Sequence, residues 1–456
     1  MIHAERTTQL NDKSIRNGDY VVYWMQQSQR AHWNHAFERA KETANRSNQP
    51  LLVFFGITDD FPEANARHYG FMIEGLIDAK KTIEEAGGRF ILLHGPPDAG
   101  IVKLAENASV VVVDAGYLRV QKRWRTNASN RMRCRMEQVE SDVIVPVAAA
   151  SPKEEYSAGT FRPKIWKIMD NYLLPLHEAE VRRSADHLEF EDSPIEDLRG
   201  VIREMNIDRT VPPSDVFSGG YGEASERLAD FIDDKLDDYS ELRSDPSANH
   251  QSDLSPYIHF GQISPLQIAL SVMETGSKGI DSFLEELIVR RELAMNFVHY
   301  NEKYDSYSCL PEWAKKSLGE HSGDIRPYIY STEELEKART HDPYWNAAQI
   351  EMVRSGKMHN YMRMYWGKKI IEWTPDPITA FDTALYMNNR YSLDGRDPNS
   401  FAGIAWCFGK HDRPWTERSV FGKVRYMNDR GLKRKFRIDD YVDSIAKRYG
   451  DQDGKI

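Results

Sequence analysis

The chain has 456 residues, 40% hydrophobic and 29% charged, and carries a formal net charge of −10. At roughly 150 residues per domain it is too long for one core and implies two or three domains. The charge excludes a globally basic nucleic-acid coat but allows a local basic face. No apolar run approaches the roughly 18–20 residues that cross a bilayer. Cys134, Cys309 and Cys407 are too scattered for a disulfide framework or a thiolate metal site, so no metal is expected. A soluble, cytoplasmic protein follows. Residues 1–18 lack the apolar stretch of a signal peptide and read as a disordered arm.

Residues 19–150 alternate between two patterns. Strands are predicted at "YVVYW" (20–24), "PLLVFFGI" (50–57), "RFILLHG" (89–95), "SVVVVD" (109–114) and "DVIVPVA" (142–148). Helices are predicted at "WNHAFERAKETA" and "HYGFMIEGLIDAKKTIEEAG". Continuous apolar strands separated by amphipathic helices predict a doubly wound, Rossmann-like parallel sheet covered on both faces. The first strand is followed by no GxGxxG and the domain has no P-loop, so a nucleotide site of those kinds is not supported. Residues 151–215 are polar, charged and broken by prolines, as in an interdomain connection. Residues 216–456 read almost entirely as helix, a second and all-α domain.

Four stretches of the helical half carry residues suited to chemistry. In "SDLSPYIHFGQISP" (252–265), Ser255-Pro256 and Ser264-Pro265 predict two helix starts, with Ser252 and Ser255 adding hydroxyls suited to phosphate. Two ordinary capped helices are the plainer reading. In "SFLEELIVRRELAMNF", Glu286 and Arg290 are four apart, which predicts either a surface ion pair or a carboxyl kept neutral by a partly buried pocket. The segment 387–409 reads as a long irregular connection in which Asn388, Arg390, Asp394, Arg396 and Asn399 could face a flat heterocycle, or simply build turns.

The fourth stretch is "YMRMYWGKKIIEW" (361–373). Met362, Trp366, Ile370 and Trp373 form a stripe at helical spacing, which is first of all a core face. Trp345 belongs to the preceding helix, so the three indoles could also lie close enough to pass an electron. Finally, ten Lys or Arg stand against three acids between Lys410 and Arg437, interleaved with Trp415, Phe421, Tyr426 and Phe436. Basic and aromatic residues together suit a single-stranded or opened nucleic acid.

These segments, with "VVYWMQQSQRAHWNHAF", "EEYSAGTFRPKIW", "THDPYWNAAQ" and "GKVRYMNDRGLKRKF", resemble the class II cyclobutane pyrimidine dimer photolyases of the photolyase/cryptochrome family almost end to end. The resemblance implies an α/β antenna domain and a helical domain holding FAD, fully reduced in the active form. It places Tyr239, Ser252, Asp253, Leu254, Ser255, Arg363, Asp394, Arg396 and Asn399 around the cofactor, and Asn388 at the flavin N5. It makes Trp366, Trp345 and Trp373 electron carriers, against the core-only reading.

For DNA containing pyrimidine dimers, the resemblance implies a lesion pocket with Glu286, Met364, Trp406 and Arg243, and DNA contacts at Arg413, Trp415 and Arg425. Arg290 stands where some members carry a tryptophan against the lesion, and Met295 replaces an acidic residue. "MQQSQR" departs from the more usual "MxRDQR" of the antenna domain, whose pigment is expected to be of the 8-hydroxy-5-deazaflavin type. The implied activity is that of a carbon–carbon lyase driven by light in a monomeric prokaryotic protein. The rival within the family is a cryptochrome-like receptor without repair.

Overall fold

A computed structural model describes residues 2–190 and 198–450. Six strands form one sheet: β1 (Thr7–Gln9), β2 (Tyr20–Met25), β3 (Leu51–Ile57), β4 (Arg89–His94), β5 (Ala108–Asp114) and β6 (Arg135–Val139). Their spatial order is β1-β6-β5-β2-β3-β4, parallel from β6 to β4, with β1 antiparallel at the edge. The fully buried β2 and β5 read as unbroken apolar runs because helices cover both faces. Those helices are α1 (His35–Ser47), α2 (Ala66–Glu85), α3 (Pro97–Leu104) and α4 (Arg119–Arg131). Asn34 starts α1 by accepting from the Ala36 and Phe37 N–H groups, and Asn48, at φ 49°, ends it.

Two expectations for this domain are corrected. The N-terminal arm is ordered, since Thr7–Gln9 pairs with β6 and the buried Arg6 donates to the carbonyls of Glu140, Val143 and Ile144. The run 142–148 is not a strand. It is buried, but its backbone bonds to side chains: Arg6 takes carbonyls, and the Glu292 carboxylate accepts from the N–H groups of Ile144 and Val145. The sixth strand is the preceding, more polar Arg135–Val139. An apolar run of this length marks burial and leaves secondary structure open.

The helical region packs around two cores, one of which continues into the connecting segment, where Ala158, Phe161 and Ile165 of the helix Ala158–Ile168 are buried. Residues 191–197 of that segment lie outside the described residues. Arg30 ties the two halves together, donating to the Asp142 carboxylate and to the Gly261 carbonyl at 2.8 Å each. The expected irregular connection at 387–409 is mostly helical. Pro377–Tyr391 runs to its start, and Pro398–Cys407 begins where Asp397 accepts from the Asn399 N–H and Pro398 needs no donor. No helix among the described residues is long and apolar enough to cross a membrane.

Candidate active site

A cavity with ≈ 1430 Å³ of atom-free space opens in the helical domain. Ser252, Asp253 and Ser255 line one side, and Arg363, Asp394 and Asn399 line another. Tyr239, Glu286, Arg290 and Trp406 stand in the same wall. Leu254 is in the core behind it. The helix at Ser255–His259 has only five residues, with Leu254 at its cap position and no side-chain cap bond. Its start therefore offers less to an anion than the serine-proline pattern implied, and the cations matter more.

Those cations are Arg363, whose guanidinium lies 3.0 Å from Asp394, and Lys357, whose ammonium contacts Asp253. Burial pushes Lys357 down to about 7, with Asp394 opposing. Asp253 holds a left-handed backbone at φ 57°, where a non-glycine residue is strained. Asn388 is fully buried and one layer behind the lining, donating to Ser400, which does line the cavity. Its Oδ1 has no protein partner. Arg396 is not in this lining; it faces a second cavity described below.

The Glu286 region follows from one local irregularity. Residues Glu285–Arg290 form a π-turn between two α-helical stretches. In a π-turn residues five apart stack, so Arg290 pairs with Glu285, at 3.0 Å, and not with Glu286, its expected partner. Glu286 instead meets Arg243 at 2.9 Å, and both side chains are about one-third exposed. The carboxyl expected in a partly buried pocket thus faces a guanidinium instead. Arg290 lies 5.6 Å over the Trp406 ring, so the cation that replaces an aromatic residue makes a cation–π wall. Met364 does not line the cavity; its sulfur contacts Cys407, next to Trp406.

The indoles form a continuous buried group. Trp366 stacks on Trp345, with centroids 6.3 Å apart and planes at 5°, and Trp345 meets Trp373 edge-on at 5.6 Å. Trp373 then meets Tyr330 and His341. Tyr328, stacked on His341 at 3.8 Å, is 49% exposed. Aromatic contacts therefore run from the core to solvent. The helix Asn360–Trp373 carries Arg363 in the cavity and Trp366 one turn later. On the surface, Arg413 and Arg425 lie 5.4 and 5.1 Å from the ring of Trp415, which is 41% exposed.

The second cavity, ≈ 700 Å³ of atom-free space, lies between the two domains. Its lining includes Trp24, Phe55, Phe61, Tyr69, Trp124 and Arg396, and it is reached from the C-terminal ends of β2 and β3. Gln26 and Gln27 of the divergent "MQQSQR" also face it.

The chain is 55% identical over 446 residues to the deoxyribodipyrimidine photo-lyase of Methanothermobacter thermautotrophicus, covering 98% of this chain and 99% of that one. The chain belongs to the DNA photolyase family. The family description DNA photolyase matches residues 21–182. The deoxyribodipyrimidine photo-lyase of Arabidopsis thaliana is 42% identical over 93% of this chain and 88% of its own length. The fold is shared with a bacterial class III photolyase from Agrobacterium tumefaciens, at TM-score 0.74 and 19% identity over 96% of this chain and 88% of that chain. It is also shared with an archaeal photolyase from Sulfolobus tokodaii described with two FAD molecules, at TM-score 0.72 and 14% identity over 95% and 91% of the respective chains.

Within this family member, sequence reasoning did not single out several cavity residues, among them Lys357, His259, Arg291, Asp397 and His411. Lys357 and His411 lie in segments with no catalytic spacing, and their placement depends on contacts from distant helices. His259 sits inside a quoted motif, "SPYIHFG", but only the fold reveals that it lines both cavities.

Proposed function

We propose that this enzyme repairs cyclobutane pyrimidine dimers in DNA with light, as a class II photolyase, with FAD in the helical cavity. One observation carries the reading: the helix Asn360–Trp373 joins a charged cavity, through Arg363, to an indole stack that reaches the surface. The donor set suits a dinucleotide. Lys357 and Arg363 would hold phosphate charge with the Ser252 and Ser255 hydroxyls, and apolar Phe283, Leu287 and Leu293 would flank a flat ring. The unpartnered Oδ1 and the amide of Asn388 stand one layer away from it. Held there by Lys357, Arg363, Ser252 and Ser255, fully reduced FAD would supply light-driven electron transfer to the dimer with no net redox change.

The protein's part is to bind, orient and tune. A dimer is poorly stacked and paired, so extruding it costs less than the few kcal/mol of a normal pair, and Trp406 and Trp415 offer about 1–3 kcal/mol of stacking per base. Trp415, with Arg413 and Arg425, would fill the gap and grip phosphates. A hydrogen bond from Glu286 to a pyrimidine carbonyl requires Arg243 to turn away and Oε1 or Oε2 to take a proton. The developing charge on the dimer would then meet a preorganised donor. In the interdomain cavity, an antenna pigment of the 8-hydroxy-5-deazaflavin type would lie among aromatic side chains, separated from the flavin cavity by His259.

The test is dimer loss from damaged DNA in blue light against darkness. Light-dependent loss is expected. Flavin binding without it would overturn repair in favour of a photoreceptor. Trp366→Phe should slow photoreduction of the oxidised cofactor while repair by chemically reduced enzyme stays near the wild-type rate. Unchanged photoreduction would remove Trp366 from the electron path.

A further inference from the structure

We propose that His321 is a positioning residue for DNA binding: as an imidazolium it fastens the surface loop that presents Trp415, so the grip on damaged DNA depends on its charge. This role rests on the repair reading, which assigns Arg413, Trp415 and Arg425 to DNA. All three lie in residues 412–425, a stretch with no helix and one isolated backbone bridge, from Arg418 to Gly422. Such a segment takes its shape from what it is fastened to.

The fastenings converge on one helix end. The helix Glu312–Glu320 stops at His321. Within it, the Ser317 hydroxyl accepts from the Lys423 N–H at 2.8 Å. Just past it, the Asp324 carboxylate accepts from the Val420 N–H at 2.8 Å and from the Ser419 hydroxyl at 3.1 Å. Gly422 packs so close that a Cβ there would stand 2.9 Å from the His321 ring. Docked in this way, Val420 sits at φ 69°, a strained conformation for a β-branched residue that persists only where the surroundings enforce it.

His321 meets two carboxylates at once. Its Nδ1 lies 2.7 Å from Asp324, and its Nε2 lies 3.0 Å from Glu417, which belongs to the loop. An ionised carboxyl only accepts, and a neutral imidazole has one N–H and one lone pair. Both contacts are hydrogen bonds only when both ring nitrogens carry protons, so the geometry specifies the charged ring. A helix C-terminus also favours a cation. The bonds to Glu417 and then to Asp324 raise the ring above its ordinary 6.5, while the Val420 N–H and then His321 hold Asp324 down to about 2. The other charges here are Lys423, which acts on Glu417, Arg326, which acts on Asp324, and Glu320, paired with Lys316. Lysine, arginine and carboxyl groups ordinarily titrate outside the neutral range, which leaves the ring as the group that changes charge there. Because docking raises it, its contribution is complete below 6.5 and is lost as pH rises through the raised value.

The test measures binding of the flavin-loaded full chain, in the dark, to a dimer-containing duplex from about pH 6 to about pH 9. The dissociation constant of His321→Gln should exceed that of wild type by about two- to fivefold at the acid end, the worth of one exposed ion pair, and should approach it at the alkaline end. Glu417→Gln, on the loop side and at an exposed side chain, should give a ratio with the same pH dependence. In a Trp415→Ala background His321→Gln should have no further effect, because the two act as one unit. A ratio that stays constant with pH, whether at one or above it, overturns the role and leaves repair standing. A His321→Gln effect that survives Trp415→Ala overturns it as well, since the ring would then act elsewhere than through the loop. A wild type that binds no DNA at any pH removes the repair reading and the role together. Flavin absorbance per chain checks that each variant is folded.

Discussion

Two cavities of this enzyme, one in the helical domain and one between the domains, share His259 in their linings, and they are built from opposite materials. The cavity in the helical domain is lined by charges held in pairs, Lys357 with Asp253, Arg363 with Asp394 and Glu286 with Arg243, and by His259 in contact with Asp397. The interdomain cavity is walled mostly by aromatic and aliphatic side chains, with Gln26, Gln27, Gln29, Gln121 and His68 among them and one buried cation, Arg396, whose Nη1 has no partner among the described residues. Burial pushes that guanidinium down to about 10. Paired charges keep a large polar space from collapsing and give a charged dinucleotide partners to exchange with. An apolar space with one cation suits a flat pigment bound mainly by its faces, with few groups to orient it. Under the proposed function, one fold would hold a reactive site and a light-gathering site with His259 between them.

The strongest way to break that contrast is to unpair one charge. Arg363→Ala leaves Asp394 in the wall without its guanidinium, and should cost about 3–5 kcal/mol of stability with loss of flavin. Thermal melting and flavin absorbance measure both. Retention of full flavin content would remove Arg363 from the cofactor site.

Next in size is a pH effect at the domain junction. Glu292 is buried against Ile144 and Val145, and desolvation raises its carboxyl to about 7 from an ordinary 4.5. Its stabilising contribution is therefore complete below about 4.5 and is lost as pH rises through about 7, a change of about 2–3 kcal/mol. Glu292→Gln keeps an oxygen for the two N–H groups. Its melting temperature should fall less than that of wild type between about pH 5 and about pH 8. Parallel curves would exclude Glu292 as the titrating group.

Trp415→Ala should weaken binding to dimer-containing DNA by about 1–3 kcal/mol, read by fluorescence anisotropy, with both cavities intact. The smallest effect belongs to the apolar cavity. Ala64→Trp fills it, and with open space to receive the ring should cost under about 1.5 kcal/mol. The variant should lose any second chromophore yet retain repair under light absorbed directly by the flavin. Loss of flavin together with the pigment would mean that the two cavities are not independent.

The difference between the cavities also explains what could be read from the chain. The helical cavity draws on contiguous motifs, 252–255, 286–290 and 394–399, so resemblance over short stretches reached part of its wall, while Lys357, Arg291, Asp397 and its apolar lining were not singled out. The interdomain cavity is assembled from 24–27 and 29 at the end of β2, 55–58 at the end of β3, α2, α4 and the helical domain, and of these only "MQQSQR" stood out in the sequence. Arg396 illustrates the limit. It sits two residues from Asp394, yet at φ 64° it lines the interdomain cavity and not the one in the helical domain.

By itself the sequence determined the two-part architecture, the covered parallel sheet and the indole-bearing helix. Each of these rests on periodic burial, which repeats within one element and so is written locally. Only the tertiary structure decided that the N-terminal residues close the sheet edge, that 142–148 is held by Arg6 and Glu292, and that Arg243 faces Glu286. Those outcomes are partner choices. A π-turn of one extra residue re-aimed Arg290 from Glu286 to Glu285, and the free carboxylate took a guanidinium 43 positions away. Which polar groups meet depends on the packing of distant elements, because a buried charge takes whatever partner the fold brings within reach.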